Sequence, residues 1–352
     1  MSALAPAATM RAVQLVNWEQ AAQVRRVAIP EPGPGELLLE VRAAGLCHSD
    51  LHLMEWPAGT MPYELPFTLG HEVAGVVSAT GPGIDGVDVG ESVLVYGPWG
   101  CGTCPPCSRG EEHLCQRGRR RAGGCGLGRD GGLADYVVVP SPRLVVPIGD
   151  LDPVRAAPLA DAALTPYHAI RRALPLAPGS TAVVIGVGGL GHVAIQLLRA
   201  LTPARIVAVD RRPEALESAV AAGASAVFDA TRTSARELRR AAGGRAELVL
   251  DFVGVDATLA LAAEAVAPGG HVSIVGVGGG TFPMRFGAVP VETPVVFSNW
   301  GTRAELAEVV ALARAGTIEL EVEAVPLEDV PAAYERLAAG QVRGRVVAVP
   351  GL

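Results

Sequence analysis

A glycine motif between an apolar run and a helical segment is the feature that most constrains how this chain can fold. Residues 186–191 read Gly-Val-Gly-Gly-Leu-Gly, they follow the apolar run 181–185, and Asp210 ends the next strand-like segment. In such a setting the glycines permit a tight turn and a close approach to a pyrophosphate. The helix N-terminus then faces the phosphates, and the acid binds the ribose hydroxyls. The motif predicts a dinucleotide site, with a purely structural glycine turn as the alternative.

The residues around Asp210 bear on which dinucleotide is bound. A carboxylate at this position would repel a 2′-phosphate, which favours NAD. Arg211 and Arg212 follow immediately and could offset part of that repulsion, so NADP stays open. The expected contacts of the motif itself are Gly186, Gly188, Gly189, Leu190 and Gly191.

The sequence pattern changes along the chain and divides it into two parts. Residues 10–160 contain short alternating stretches between Pro/Gly turns, such as 36–41 and 73–77, which predict a mainly β barrel or sandwich. From about residue 180, strand-like and helical segments alternate, which predicts a parallel doubly wound sheet. Strands are expected at 181–185, 205–210, 226–228, 248–252, 271–275 and 294–297, with later helices at 303–315 and 332–339 and a strand at 346–349. We therefore expect an α/β protein with a β-rich domain at 1–162 completed by 301–352, and a Rossmann domain at 163–300.

Charge and composition exclude several functions. The chain has 352 residues, a net charge of −7 and 49% hydrophobic residues, which argues for a globular protein and against binding to a phosphate backbone. All 29 basic residues are arginine, so Schiff-base chemistry and a P-loop lysine are excluded. The basic run Arg117, Arg119, Arg120 and Arg121 is interpreted as a solvated loop rather than a nucleic-acid contact.

Nothing in the sequence points to export or to a membrane. The segment Met1–Pro6 lacks the charged and apolar regions of a signal peptide, and no run of 18 apolar residues is present. We therefore expect a cytoplasmic location. In that reducing compartment, clustered cysteines favour metal binding over disulfides.

Four of the six cysteines form a closed metal-ligand pattern. They are spaced C-x2-C-x2-C-x7-C in a Gly/Pro-rich loop, at Cys101, Cys104, Cys107 and Cys115. Four thiolates at this spacing fill the tetrahedral coordination of zinc and leave no position for a substrate. A structural zinc is expected here, since the intervening residues could not form a core around free thiols.

A second, open pattern contains Cys47 and the His71 of Gly70-His71-Glu72. Cys and His alone can simply lie in a core, so a third ligand is needed. The best candidate is Asp161, an acid in an apolar context near the expected domain boundary, although it could equally be a helix N-cap. Three ligands with an open fourth position are typical of catalytic zinc.

Taken together, these motifs resemble those of a known enzyme family. The chain resembles the zinc-containing alcohol dehydrogenases of the medium-chain dehydrogenase/reductase superfamily over nearly its full length, and is most similar to bacterial NAD-dependent secondary-alcohol dehydrogenases. The matching segments are 45–50, 70–72, the four-cysteine loop, 95–101, 164–169, 186–191 with Asp210, 300–303 and 344–347. The resemblance implies a GroES-like catalytic domain beside the Rossmann domain, two zinc ions per chain, NAD(H), and a homodimer or homotetramer.

Residue roles follow from the same resemblance. Cys47 and His71 match the first two catalytic zinc ligands, and Asp161 occupies the third position, where many members have Cys. Asp50 would orient His71, and Glu72 would lie behind the metal. Ser49 matches the hydroxyl that touches the substrate oxygen, and His52 the end of a proton relay that passes through the ribose hydroxyls; a surface histidine is the alternative for His52. Further cofactor contacts are implied for His48 and Arg345.

Substrate-pocket residues and the sixth cysteine are less constrained. Trp56, Tyr63 and Trp300 match positions that face the substrate in the resembling subgroup, but each could instead be core packing. Cys125 is interpreted as a spare thiol rather than a ligand.

The function implied is interconversion of alcohols, secondary ones above all, with ketones or aldehydes. A zinc polyol or amino-alcohol dehydrogenase and a non-catalytic nicotinamide-binding descendant are the alternatives. A polyol or amine substrate would call for polar groups in the pocket, whereas the candidate pocket residues are Trp and Tyr. A descendant without catalysis would have no need of all five of Cys47, Ser49, His52, His71 and Asp161.

Overall fold

The structure, a computed structural model, describes residues 8–117, 123–282 and 284–352, and these fall into two compact units. Unit 1 comprises Met1–Asp161, Thr302–Arg314 and Leu320–Leu352, and unit 2 comprises Ala162–Gly301 and Ala315–Glu319. Residues 315–319 were expected in the first domain but belong to unit 2. The backbone of Glu319 exchanges hydrogen bonds of 2.8 and 2.9 Å with the Gln196 side chain of that unit.

Strands and helices are numbered in chain order. The strands are β1 (Thr9–Leu15), β2 (Gln23–Ala28), β3 (Leu37–Gly45), β4 (Phe67–Thr68), β5 (Glu72–Thr80), β6 (Ser92–Val95), β7 (Gly124–Cys125), β8 (Gly128–Arg129), β9 (Tyr136–Val139), β10 (Val145–Pro147), β11 (Thr181–Ile185), β12 (Arg205–Asp210), β13 (Ala226–Asp229), β14 (Ala246–Asp251), β15 (Val266–Ile274), β16 (Val295–Phe297), β17 (Val322–Pro326) and β18 (Arg345–Val349). The helices are α1 (His48–Glu55), α2 (Pro105–Ser108), α3 (Pro153–Ala156), α4 (Leu164–Arg171), α5 (Gly191–Leu201), α6 (Pro213–Ala222), α7 (Ala235–Ala241), α8 (Asp256–Ala265), α9 (Arg303–Arg314) and α10 (Val330–Ala338). Within the described ranges, none of these helices combines the length and the apolar character that crossing a membrane requires.

Unit 1 is built around a mainly antiparallel sheet in the order β10-β6-β5-β3-β18-β17, with β9 also paired to β3. The central strands β3 and β5 are buried at most successive positions rather than at every second residue, so the alternation expected from the sequence is not seen in them. β18 lies between β3 and β17, antiparallel to the first and parallel to the second. Segments far apart in sequence therefore meet at the strand ends.

The register of the central strands positions the candidate metal ligands. Gly45, at the end of β3, pairs with Glu72 at the start of β5 and with Val347 of β18. A side chain at position 45 would place its Cβ 1.9 Å from a Glu72 carboxylate oxygen, so glycine is required there. Cys47 follows β3 and His71 precedes β5, which brings both to the same edge of the sheet.

Unit 2 is a six-stranded parallel sheet in the order β13-β12-β11-β14-β15-β16, with helices between most successive strands. Its strands are apolar and fully buried at the centre, where Val183, Val207, Val249 and Val272 form a core. β11 lies between β12 and β14, the point at which the strand order reverses, and ligands of such sheets bind at that point. The α/β class with a doubly wound parallel sheet is confirmed.

Candidate metal and nucleotide sites

Cys47, His71 and Asp161 form one buried cluster in unit 1, the three-ligand site. Their ligand atoms all lie within 4.8 Å of one another; Asp161 Oδ2 is 3.7 Å from Cys47 Sγ and 3.7 Å from His71 Nε2. Tetrahedral zinc with bonds of about 2.0–2.3 Å separates its ligand atoms by roughly 3.3–3.8 Å. The cluster therefore fits zinc. Asp161 is not the cap of α4, which is Ala163.

Asp50, the second acid of this region, contacts two of the candidate ligands, Cys47 and His71. Its Oδ2 accepts a hydrogen bond of 3.0 Å from the Cys47 backbone N–H, and its Oδ1 lies 3.3 Å from His71 Nδ1. A carboxylate facing Nδ1 fixes the imidazole tautomer that leaves Nε2 free to bind a metal. The arrangement that the resemblance implied for Asp50 is thus geometrically available.

Glu72 and Arg345 form a buried ion pair behind the cluster. The Arg345 guanidinium donates two hydrogen bonds to the Glu72 carboxylate, and its Nη2 lies 3.7 Å from Asp161 Oδ2. Burial raises the pKa of Glu72 to about 7, although the adjacent Arg345 cation opposes this shift. Arg345 was expected to contact the cofactor; in this structure its guanidinium donates to the Glu72 carboxylate.

Helix α1 carries the other candidate residues of unit 1. Ser49 Oγ lies 3.6 Å from Cys47 Sγ, so its hydroxyl borders the three-ligand site. His52, further along α1, stacks on Trp56 with ring centroids 6.4 Å apart, and His48 at the start of α1 is exposed.

The two remaining pocket candidates lie in different units. Tyr63 makes an edge contact with Phe67 in unit 1. Trp300 lies in unit 2, where its backbone N–H donates to Thr165 Oγ1 over 3.1 Å. Trp300 adopts a φ of 56°, which is uncommon for a bulky side chain.

The four cysteines at 101, 104, 107 and 115 form a second cluster, the four-cysteine site, again within 4.8 Å. Sulfur–sulfur distances of 3.4, 3.8 and 4.0 Å exceed the ~2.05 Å of a disulfide and match tetrahedral zinc–thiolate geometry. Two backbone N–H groups, of Cys101 and Cys104, point at sulfur atoms and stabilise thiolates.

An ion pair that the sequence did not reveal holds the four-cysteine loop. Arg143 donates to Glu112 Oε1 at 2.5 Å, between Cys107 and Cys115, and to the Gly100 carbonyl at 2.7 Å, directly before Cys101. Neither residue belongs to a motif, so spacing alone gave no signal for it.

Cys125 and the basic run lie outside both clusters. Cys125 is fully buried, its thiol donates to the Gly70 carbonyl over 3.7 Å, and burial raises its pKa to about 12. It is not a member of either ligand group found among the described residues. Arg119, Arg120 and Arg121 lie outside the described residues, so the interpretation of this run stays a prediction.

The glycine turn of unit 2 fits a dinucleotide. Gly186 adopts φ 86° at the end of β11, and a Cβ at Gly191 would lie 1.9 Å from the Gly186 carbonyl oxygen. A Cβ at Gly188 would meet no described atom within 4 Å, so this part of the turn faces open space at the start of α5. Such a cradle beside a helix N-terminus suits a pyrophosphate.

Asp210 holds that turn from the end of β12. Its Oδ2 accepts the Val187 N–H at 2.7 Å, its Oδ1 accepts the Arg212 N–H at 2.9 Å, and Arg212 Nε lies 3.5 Å from the same oxygen. A carboxylate has about four acceptor positions, so capacity for ribose hydroxyls remains.

A unit with a candidate nucleotide site and a β unit with one closed and one open candidate metal site are the combination typical of metal-dependent dehydrogenases. Comparisons agree with that assignment. Residues 33–150 match the alcohol dehydrogenase GroES-like domain, and residues 189–315 match the zinc-binding dehydrogenase domain.

Individual relatives cover almost the whole chain. An NAD-dependent alcohol dehydrogenase of Sulfurisphaera tokodaii is 35% identical over 97% of this chain and 100% of its own length. A D-arabinose 1-dehydrogenase (NADP+) of Saccharolobus solfataricus is 32% identical over 97% of this chain and 97% of its own. The structure of acetophenone reductase from Geotrichum candidum in complex with NAD superposes with a TM-score of 0.86, at 30% identity, over 99% of this chain and 98% of that one. This chain belongs to the zinc-binding alcohol dehydrogenases of the medium-chain dehydrogenase/reductase superfamily, and the resemblance inferred from its motifs is confirmed.

Proposed function

We propose that this protein is a zinc-dependent enzyme that interconverts alcohols, secondary ones preferentially, with ketones or aldehydes, using NAD(H). The three-ligand site carries the proposal, because a buried Cys/His/Asp set leaves a fourth tetrahedral position for a substrate oxygen. Family membership supports the reaction, and the acetophenone reductase supports a ketone substrate.

The chain's own residues would divide the work as follows. Zinc, when bound, supplies the Lewis acidity that lowers the pKa of the alcohol, and NAD supplies the hydride acceptor. Cys47, His71 and Asp161 would hold the metal, while Asp50 fixes the His71 ring. Ser49 would accept the alcohol proton beside the cluster, and His52 in the same helix would release it to solvent.

We further propose that the coenzyme is NAD rather than NADP. Asp210 places a negative charge, anchored by two backbone N–H groups, beside the glycine turn. A 2′-phosphate would meet that charge, although Arg212 lies close enough to reduce the repulsion. Because the similar D-arabinose 1-dehydrogenase is named for NADP+, the rates with NADH and with NADPH are to be compared directly.

Two zinc ions per chain are proposed, one in each cluster. The four-cysteine site offers only thiolates and no open position, so its zinc would be structural. We place the protein in the cytoplasm, where reducing conditions keep all six cysteines out of disulfides.

A homo-oligomer, either a dimer or a tetramer, is also proposed. β16 lies at the edge of the unit 2 sheet, and its Phe297 is 75% exposed. Phe286 and Val291, shortly before β16, are 98% and 65% exposed. An apolar sheet edge of this kind favours pairing with another strand, here from a second copy of the chain.

The test of the reaction is an NADH- and NADPH-oxidation panel. Ketones, aldehydes, polyol-derived ketones and amino-ketones would be compared with and without a chelator. We expect chelator-sensitive turnover of simple ketones with NADH, abolished in Cys47→Ala and retained in Cys125→Ala. Asp210→Ser should raise the NADPH rate relative to NADH. Preference for polyol-derived or amino-ketones would favour the alternative substrates. A metal-loaded protein that binds NADH but turns over none of them would contradict an enzymatic role.

A further inference from the structure

Tyr334, in α10, belongs to no motif, yet its hydroxyl donates a 2.8 Å hydrogen bond to Asp50 Oδ2. Tyr334 is 4% exposed and Asp50 is fully buried. We propose that Tyr334 is a positioning residue for the catalytic metal: it fixes the Asp50 carboxylate, and through it His71 and Cys47. The proposal rests on zinc binding at the three-ligand site.

Asp50 serves two ligands with two different oxygens, so its orientation matters. Oδ2 accepts from the Cys47 backbone and from Tyr334, whereas Oδ1 faces His71 Nδ1 at 3.3 Å. The terminal carboxylate torsion has a broad energy minimum, so a single donor leaves the plane of the group poorly fixed. The second donor, Tyr334, holds Oδ2 in place and thereby keeps Oδ1 toward the imidazole.

The hydroxyl, rather than the ring, is the part of Tyr334 that this role requires. α10 buries Val330, Ala333 and Leu337 along with Tyr334, so an aromatic ring alone would complete the packing. A buried hydroxyl is unfavourable unless it is bonded, and a bond to a carboxylate is among the stronger ones. On an otherwise apolar helix face, Tyr334 thus places its hydroxyl where Asp50 Oδ2 accepts a hydrogen bond.

The test is Tyr334→Phe, which removes only the hydroxyl. The folded, zinc-containing protein would be dialysed against a series of Co²⁺ concentrations, and the absorption of the bound Co²⁺ distinguishes a site with one thiolate from a site with four. Groups behind the metal ligands typically change metal affinity about 10–100-fold when removed. Because Tyr334 acts through Asp50, we expect the lower end, about tenfold weaker Co²⁺ binding at the three-ligand site, with a shifted spectrum there. The four-cysteine site should keep its wild-type affinity.

Tyr96→Phe is the matched control. Tyr96 is likewise a buried tyrosine of unit 1, but its hydroxyl hydrogen-bonds the His113 backbone and lies near the Glu112 charge. It should leave the three-ligand spectrum unchanged.

Failure of the proposed role of Tyr334 and failure of the proposed metal centre would give different results. Wild-type spectrum and affinity in Tyr334→Phe would overturn the positioning role, and so would equal weakening at both sites. Wild-type protein that binds no Co²⁺ at the three-ligand site would instead overturn the proposed metal centre itself.

Discussion

His271, a partly buried residue of β15, makes the stability of unit 2 depend on pH. Burial lowers the pKa of its imidazole below the usual value of 6.5, and the nearby Arg172 cation lowers it further. A base whose folded-state pKa is depressed contributes stability that is present above its unfolded pKa. That stability is lost as the pH falls below 6.5 toward the folded pKa, because the unfolded chain takes up the proton first.

We therefore expect His271→Gln to flatten the pH dependence of thermal stability. The melting temperature of the variant, relative to wild type, should rise as the pH falls from about 7.5 to about 5.5. Ser273→Ala is the control, since it removes the 3.1 Å partner of His271 Nε2 and keeps the titrating ring. Parallel melting curves for His271→Gln and wild type across this range would contradict the assignment.

The role of a single residue could be predicted where the residue belongs to a sequence motif. It could not be predicted where only the fold brings the residue to its partner. Spacing identified the four cysteines of the four-cysteine site, since ligand chemistry limits the residue types. Cys47, His71 and Asp161 were candidates on pattern alone, and the family resemblance was needed to give them ligand roles. Tyr334 and Arg143 escaped because their partners, Asp50 and Glu112, are distant in sequence. Arg345 was recognised, but its contact with Glu72 follows from β18 lying beside β3, which the sequence does not state.

At the scale of elements, the four-cysteine loop should contribute stability and no chemistry. Cys104→Ala is expected to reduce bound zinc from two ions to one and to lower the melting temperature by roughly 10 °C or more. Structural zinc contributes on the order of 10 kcal/mol in small domains, and each kcal/mol is worth about 1–2 °C in a chain of this size. Metal analysis and calorimetry measure the two effects.

Comparison with two other cysteines sharpens this prediction. Cys47→Ala should also lose one zinc ion, but with the loss of turnover as its main effect. Cys125→Ala, another buried cysteine, should keep both ions. If Cys104→Ala retained its melting temperature and lost turnover completely, the structural and catalytic assignments would be exchanged.

Element boundaries show where the local pattern was insufficient. β15 begins at Val266 rather than at 271, although it contains Pro268, Gly269 and Gly270, which usually indicate a turn. Val266 pairs with Ala246 of β14, and the register shifts before the pairing resumes. A neighbouring strand can accommodate such an irregularity, and this long-range pairing is not encoded in the segment itself.

At the scale of the whole molecule, the exposed edge of β16 predicts association. Light scattering should give a dimer or tetramer mass for wild type, and Phe297→Lys should shift it toward the monomer. A charge at an apolar edge leaves that charge desolvated in the interface. Val220→Lys is the control, because Val220 is also exposed, at 57%, but lies on helix α6 of the same unit. Monomeric wild-type protein would remove the proposal.

The position of β18 between β3 and β17 has a consequence for biosynthesis. All three residues of the three-ligand site have been translated once the ribosome has passed Asp161, but Tyr334 and Arg345 follow only after the whole of unit 2. The four-cysteine loop, in contrast, contains all its ligands within fifteen residues and can close as soon as it emerges. A nascent chain should thus bind its structural zinc early. The three-ligand site, in contrast, should stay incomplete until β18 joins the sheet of unit 1. Activity is thereby delayed until unit 2 has had time to fold.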